Sequence, residues 1–578
     1  MSDRLYVLVS TSDQSVLAKC RNLETKGVSL RFSDAERGTY LYSRAERAFP
    51  QYLSVINDQG DFSIENEARS LLGQGAEPPE SDSLVSFAHI ADGRFVARTD
   101  AWGIQQHYFY HDGRSFICSN NCFLVAKLVG ARLSEAAVFE CLFFLSPIKD
   151  RSWFEDVRVL QPGQAILFDV NTRSLTLTPP RDLYQEIAGA PGGDLVDEAA
   201  AYFDRAARVL RGRQVLVSLS SGVDSRTVLA GLIKSGLDSE AVSFGGADFV
   251  ETKAIKSLAA SRGVKSTIYG FESLLSDWED GFRTATLVTN GLLNPLRMHF
   301  PKFYGGLRGD ALFEGLLGSE FVKAEIAVGA VVSAAYAEAV SAGGGVRRAI
   351  DSRFDCLSAE FRSRMEHRIT ENHGPALVPV DTPEGVREFA RFAFHFIPSR
   401  VFGAQHVLAS TMLSMYEPFL SRKFLRALSV SFGVTHYNSL SRDFPGPIRS
   451  LKPEAMIVRA FDRPLYTSRL DRLFSMKEAL ELPAFLVRNL QRARKQPLRL
   501  TTRGMRPGQV DGASLHNAAG QFLRANSRPE VLDFRKDQAE TANLLKERCT
   551  LICIEQLMAM DLGALVQRMM DFGSAAKR

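Results

Sequence analysis

The hydrophobic positions of this chain follow two regimes. From residue 1 to about 180 they come in short runs: Leu5–Val9, Leu53–Ile56, Leu84–Ala88, Phe95–Arg98, Tyr108–Tyr110 and Ala165–Phe168. Turn signals separate them at Asp58-Gln-Gly60, Asp92-Gly93, Asp112-Gly113 and Pro162-Gly163. Short apolar runs bounded by such turns predict strands. Two helical patches interrupt, around Phe123–Leu128 and Ser134–Phe144, so the layout is α+β. Beyond residue 180 the pattern changes. Pro179-Pro180 and Gly189-Ala-Pro-Gly-Gly193 break the chain before a helix predicted over Val196–Arg211. A β-branched run, Val215–Val217, is followed by the helix face Val228, Leu229, Leu232 and Ile233. Then come Ala241–Phe244, a helix over Val250–Arg262, and Lys265–Tyr269. Strand and helix in alternation predict a parallel sheet. A later run, Lys302-Phe-Tyr304, reads as a further strand. Helices are predicted over Ala324–Ala342, Val346–Phe354, Ala359–Ile369, Pro383–Phe396, Val401–Met415 and Leu544–Leu562. The boundary falls near 182, giving units 1–182 and 183–578.

Composition narrows the class. At 578 residues the chain should hold two or more domains. Hydrophobic content of 45% and charged content of 24% are ordinary for a soluble protein. Lys plus Arg is 70 against 66 acidic residues, a net +4, too balanced for a nucleic-acid partner. The basic cluster Arg488, Arg492, Arg494, Lys495, Arg499 and Arg503 reads as a solvated helix and tail. No apolar run reaches membrane-spanning length, and Met1-Ser-Asp-Arg4 lacks the start of a signal peptide, so a cytoplasmic location is expected. The seven cysteines form no Cys-x-x-Cys pair and read as buried thiols of a reducing compartment.

Candidate chemistry centres on Ser218-Leu-Ser-Ser-Gly-Val-Asp-Ser225, between a predicted strand and a predicted helix. Small residues let a ligand approach the backbone, hydroxyls add donors, and the free N–H groups opening the helix complete an anion site. Asp224 can hold a magnesium ion that bridges phosphates. No Gly-x-x-x-x-Gly-Lys-Ser/Thr occurs in the chain. Ser220-Ser-Gly-Val-Asp-Ser225 resembles the pyrophosphate loop of the N-type ATP pyrophosphatases, Ser-Gly-Gly-x-Asp-Ser, with Ser221 at the first glycine. That resemblance implies that Ser218, Leu219, Ser220, Ser221, Gly222, Asp224 and Ser225 bind ATP with Mg2+, and that Ser243 and Phe244 line the adenine pocket.

Gly305-Gly-Leu-Arg-Gly-Asp-Ala-Leu-Phe-Glu-Gly315 resembles a second segment of the asparagine synthetase family, Gly-x-Gly-Ala/Gly-Asp-Glu-Leu-Phe-x-Gly. Gly306, Gly309, Asp310, Leu312, Phe313 and Gly315 match, and Arg308 departs. Asp310 is then expected to share the magnesium with Asp224. Gly318-Ser-Glu320 is an alternative for the same motif, lacking the Leu-Phe that follows the carboxylate. Glu417-Pro-Phe-Leu-Ser421 resembles the family's Pro-Phe-Leu-Asp segment. In Arg442–Pro453, Pro445 stands where the family has its catalytic lysine, leaving Arg442 or Lys452 to supply a cation near the developing charge.

The first unit resembles the glutaminase domain of the same family through Gly93-x-Phe95, Asp100-x-x-Gly103, Tyr108-x-Tyr110, Phe116-x-x-Ser119, Phe154 and Leu160-x-Pro162-Gly163. Active members carry a cysteine nucleophile behind the initiator methionine; here position 2 is Ser2 and the first cysteine is Cys20. A domain without glutaminase activity is expected.

The fold class implied is an α+β, Ntn-type β-sandwich glutaminase-like domain. An α/β parallel-sheet ATP pyrophosphatase domain with a largely helical C-terminal part follows it. The activity implied is amide-bond formation: ATP adenylates a carboxylate, and ammonia or a substrate amine attacks, as in β-lactam synthetases and lasso-peptide cyclases. Expected partners are a small-molecule or peptide carboxylate, a precursor peptide and protease in the lasso case, and a second copy in a homodimer, with no nucleic acid and no membrane. The rival expectations are a decayed scaffold and a glutamine-hydrolysing synthetase using Ser2.

Overall fold

The computed structural model describes residues 5–24, 28–43, 49–54, 70–71, 84–246, 249–323, 331–341, 343–432, 451–470, 474–483, 486–487, 489–490, 512–526, 532 and 544–575. The first unit is built from strands β1 (Tyr6–Ser10), β2 (Ser29–Asp34), β3 (Thr39–Ser43), β4 (Phe49–Ser54), β5 (Leu84–Ala91), β6 (Arg94–Arg98), β7 (Tyr108–His111), β8 (Phe116–Ser119), β9 (Arg158–Val159), β10 (Ala165–Asp169) and β11 (Ser174–Leu177). They form two antiparallel sheets, ordered β2-β3-β1-β8-β7-β9 and β11-β10-β6-β5-β4.

Side-chain alternation explains the layering. Tyr6 and Leu8 of β1 join Phe95, Ala97, Ile166 and Phe168 of the other sheet in one core. Leu5, Val7 and Val9 face the opposite way, into a core shared with the helix Cys122–Val129. The six-stranded sheet is therefore covered on both faces, and the central layers form the expected sandwich.

The second unit carries β12 (Val215–Ser218), β13 (Ser239–Phe244), β14 (Ser266–Tyr269), β15 (Ala311–Phe313) and β16 (Ser414–Tyr416), all parallel, in the order β14-β13-β12-β15-β16. The chain lays down β12, β13 and β14 in one direction and then returns to add β15 on the other side of β12. The strand order therefore reverses between β12 and β15, and the carboxyl ends of strands at such a point form the crevice where sheets of this kind bind ligands.

Three expectations are corrected. Lys302-Phe-Tyr304 lies in the helix Phe300–Gly306, and the strand of that slot is β15. The single helix predicted over Val401–Met415 divides into a π-helical turn Ile397–Phe402, the helix Gly403–Ser410 and β16, the fifth strand. The last helix is two, Leu545–Ala559 and Leu562–Ala575. Among the described residues no single helix is long and apolar enough to cross a membrane.

The turn Asp100–Gly103, which links β6 of one sheet to β7 of the other, docks the first unit on the second. Asp100 accepts from Trp102 N (2.9 Å) and Gln105 N (2.7 Å), which holds the turn closed. Gly103 has φ +67°, with Pro162 packed against it. Trp102 is thereby presented outward: its Nε1 donates to Leu420 O (3.0 Å) and its ring stacks on Phe321 (5.6 Å between centroids). Trp153 Nε1 likewise donates to Asn290 O (2.9 Å).

Candidate active site

The Ser218–Ser225 segment turns from β12 into the helix Asp224–Lys234. Its hydroxyls order the turn. Ser225 Oγ accepts from Ser220 N (3.0 Å), and Ser220 Oγ accepts from Gly222 N (3.2 Å). Leu219 N donates to Val242 O on β13 (2.9 Å). Ser221, which replaces the glycine of the resemblance, donates to Glu251 Oε1 (3.2 Å). Arg226 lies buried behind the turn. Its guanidinium donates to Ser221 O (3.3 Å), Arg469 O (2.9 Å) and Ser468 O (2.9 Å), so the segment Ser468–Arg469 is tied to the loop.

Facing this loop across the crevice is the segment after β15, Glu314–Lys323. Gly315 and Gly318 let the two approach. A Cβ on Gly315 would come within 2.8 Å of Asp224 C and Ser225 N, and one on Gly318 within 2.8 Å of the Asp224 carboxylate. Ser319 Oγ donates to Asp224 Oδ2 (3.0 Å). Lys323 Nζ donates to the same oxygen (3.0 Å) and lies 2.8 Å from Oδ1, which accepts no hydrogen bond. Glu320 is buried beside them, and burial first, then the charge of Asp224, pushes its carboxyl up to about 7.

Asp310 is not part of this group. It precedes β15, at the amino end of the sheet, where its Oδ2 accepts from Gln214 N (2.9 Å) ahead of β12. Asp224 sits at the carboxyl end, so the two cannot share an ion. Gly309 packs on Leu216 and Gln214 at that same far edge, and Gly306 packs on Tyr269 of β14, two strands from β12. The alternative segment Gly318-Ser-Glu320 is the one that lies beside Asp224. Sequence reasoning set it aside for want of a Leu-Phe; the signal available was its place after the apolar run Ala311-Leu-Phe313.

Ser243 and Phe244 end β13 at the carboxyl edge of the sheet, the edge from which the Ser218–Ser225 segment leaves β12. Phe244 is half-buried against His299 (4.6 Å), Phe303 (5.2 Å) and Phe300 (5.8 Å). Arg442 and Ser2 lie outside the described residues. Lys452 is exposed, its ammonium 5.8 Å from the Phe432 ring, and among the described residues it makes no ion pair. The cation that reaches Asp224 is Lys323, which the sequence reading did not single out. The charge of Asp224 helps to raise the Glu320 carboxyl, so the two carboxyl groups lie close together, with Lys323 against Asp224. Of the two expected pairings, Asp224 with Glu320 lies at one end of the sheet, and Asp224 with Asp310 does not.

No protein-family model matches the chain, and no curated protein sequence matches it. Among solved structures it is similar to the glutamine phosphoribosylpyrophosphate amidotransferase of B. subtilis complexed with ADP and GMP. That match has 8% identity and a TM-score of 0.17, over 46% of this chain and 65% of that one. It is also similar to a structure described as the allosteric regulatory enzyme of purine biosynthesis, at 9% identity and a TM-score of 0.13, over 47% and 60%. The chain spans less than two thirds of the length of either.

Proposed function

We propose that the chain is an ATP-dependent, AMP-forming carbon–nitrogen ligase. It would adenylate the carboxylate of a small molecule or peptide and pass the acyl group to an amine. One observation carries this reading: Asp224, Glu320 and Lys323 converge where the strand order reverses, at the carboxyl ends of β12 and β15. A carboxylate oxygen attacks the α-phosphorus, and the α–β bond breaks with its electron pair leaving on pyrophosphate. The amine nitrogen then attacks the acyl carbon, AMP departs, and the amine proton is lost. Magnesium held by Asp224 and Glu320 would neutralise charge on the phosphates. The Ser220–Ser225 turn and the N–H groups opening its helix present donors to the leaving pyrophosphate. Lys323, already desolvated, offers the fixed positive charge that Arg442 and Lys452 were expected to supply, and needs little reorganisation to do so. The amine comes as ammonia or on the substrate itself, the ring-closing form of β-lactam synthetases and lasso-peptide cyclases. The first unit serves as a scaffold that steadies Phe321 through Trp102.

A second reading, a nucleotide-free scaffold, is favoured by one feature: Lys323 already balances Asp224. Calorimetric binding of a non-hydrolysable α,β-ATP analogue with magnesium separates the two. Binding to the wild type that disappears in Asp224→Ala is expected. No binding to either protein, with both folded, would leave the scaffold reading standing.

A further inference from the structure

A second group of ionisable side chains lies apart from the Ser218–Ser225 loop. Glu314 immediately follows β15 and Glu417 immediately follows β16, and the two strands are adjacent, with Glu314 N donating to Tyr416 O (3.1 Å). His406 comes from the helix Gly403–Ser410. All three are buried, and one ligand atom from each lies within 4.8 Å of the others.

The group is incompletely satisfied from within. His406 Nε2 and Glu417 Oε1 are 2.8 Å apart, but His406 Nδ1 and Glu417 Oε2 have no hydrogen-bond partner. Glu314 accepts from Tyr304 Oη (3.1 Å to Oε1), and Gln405 Nε2 donates to Tyr304 Oη (2.7 Å). Among the described residues no lysine or arginine forms an ion pair with Glu314 or Glu417. The contrast is Glu140, another buried carboxylate paired with a histidine, His373. Glu140 also has Arg151 Nε at 2.9 Å and accepts from Ile148 N at 3.0 Å. Two carboxylates in a dry interior without a counter-charge are costly unless protonated or bound to a metal.

We propose that Glu314, His406 and Glu417 form a divalent-cation site, with two carboxylate oxygens and one imidazole nitrogen as protein ligands and zinc as the preferred ion. Two carboxylates and a neutral imidazole carry a charge of −2, which one divalent ion cancels. A mixed oxygen and nitrogen donor set with no thiolate suits zinc or manganese better than calcium or copper(I). Tyr304 and Gln405 form the outer layer that orients Glu314, as hydrogen-bonding partners of ligands do elsewhere. The ion would join the ends of β15 and β16 to the helix above them. It would thus brace the segment that carries Glu320 and Lys323, whatever reaction that segment serves.

The test uses the full chain, purified without chelator, incubated with zinc or manganese, desalted and assayed by plasma mass spectrometry. About one retained equivalent per chain is expected in the wild type and in Asp224→Asn, with less than about a tenth in His406→Gln and Glu417→Gln. Dipicolinate should lower the wild-type melting temperature, and added zinc should restore it; His406→Gln should respond to neither. Wild-type protein that retains no ion and melts identically with chelator overturns the site, even if both variants fail to fold. Loss of the ion in folded Asp224→Asn also overturns it, by assigning the metal to the other carboxylate group.

Discussion

Lys323 and Asp224 join the two loops of the crevice through a pair of short contacts, 2.8 Å to Oδ1 and 3.0 Å to Oδ2. The lysine is 5% exposed and the aspartate 21%, so little water screens them. Lys323→Met would leave Asp224 partly desolvated beside Glu320, without its counter-charge. We expect a loss of about 3 kcal/mol of stability, the scale for breaking such a pair. Pyrophosphate release should fall by about 100-fold or more, comparable to removing one donor from a transition-state charge. Denaturant unfolding and a pyrophosphate assay check the two effects separately; unaltered release would remove Lys323 from the reaction.

Gly315 tests the closeness of the loops. The atoms its added Cβ would meet, Asp224 C and Ser225 N, are backbone and cannot swing aside. Gly315→Ala should cost about 1–3 kcal/mol and weaken binding of the ATP analogue, because the loops must separate. Gly113→Ala, at φ +85° on an open turn, serves as a control that carries backbone strain without crowding, and should leave analogue affinity unchanged. Equal affinity in both variants would show that the crevice tolerates widening.

Trp102 tests the link between units. Trp102→Phe keeps a ring on Phe321 and loses the hydrogen bond to Leu420 O, which should cost about 1–2 kcal/mol. Trp102→Ala also opens a cavity and should cost about 3–5 kcal/mol. Since Phe321 is adjacent to Glu320 and close to Lys323, the alanine variant should also bind the ATP analogue more weakly. A folded Trp102→Ala protein with wild-type affinity would confine the tryptophan to stability.

The sandwich core should make the protein acid-sensitive. His107 is fully buried, with Tyr6 Oη 2.6 Å from Nδ1 and Ser86 Oγ 2.6 Å from Nε2. Burial holds it down to about 4, against an ordinary value of 6.5. The folded state therefore binds a proton less readily than the unfolded chain. Its contribution is whole above pH 6.5 and is lost as the pH falls towards 4, at about 1.4 kcal/mol per pH unit. Urea unfolding from pH 7 to 4.5 should show a shallower fall in His107→Gln than in wild type. Parallel curves would place the acid sensitivity in other groups, His406 and His299 among them.

Much of the architecture was legible because it is written locally. Short apolar runs bounded by turn residues marked sandwich strands, and a β-branched run, small residues and a helix face marked β12 and its loop. What failed was short or non-local. Ser414-Met-Tyr416 is a three-residue strand following a helical pattern, and only pairing with β15 makes it a strand. Lys302-Phe-Tyr304 is apolar enough for a strand but packs as a helix.

By itself the sequence determined that a serine-rich turn with Asp224 joins a parallel strand to a helix, because the residues needed for that turn are contiguous. Tertiary structure alone decided which groups meet Asp224. Asp310 and Glu320 lie on either side of one three-residue strand, and a parallel strand separates its two ends into different environments. Only the carboxyl end faces the crevice, so Glu320 and Lys323 arrive there while Asp310 is carried to the opposite edge. In the same way Glu314, about a hundred residues before His406 and Glu417 in the chain, becomes their neighbour only when β16 pairs with β15.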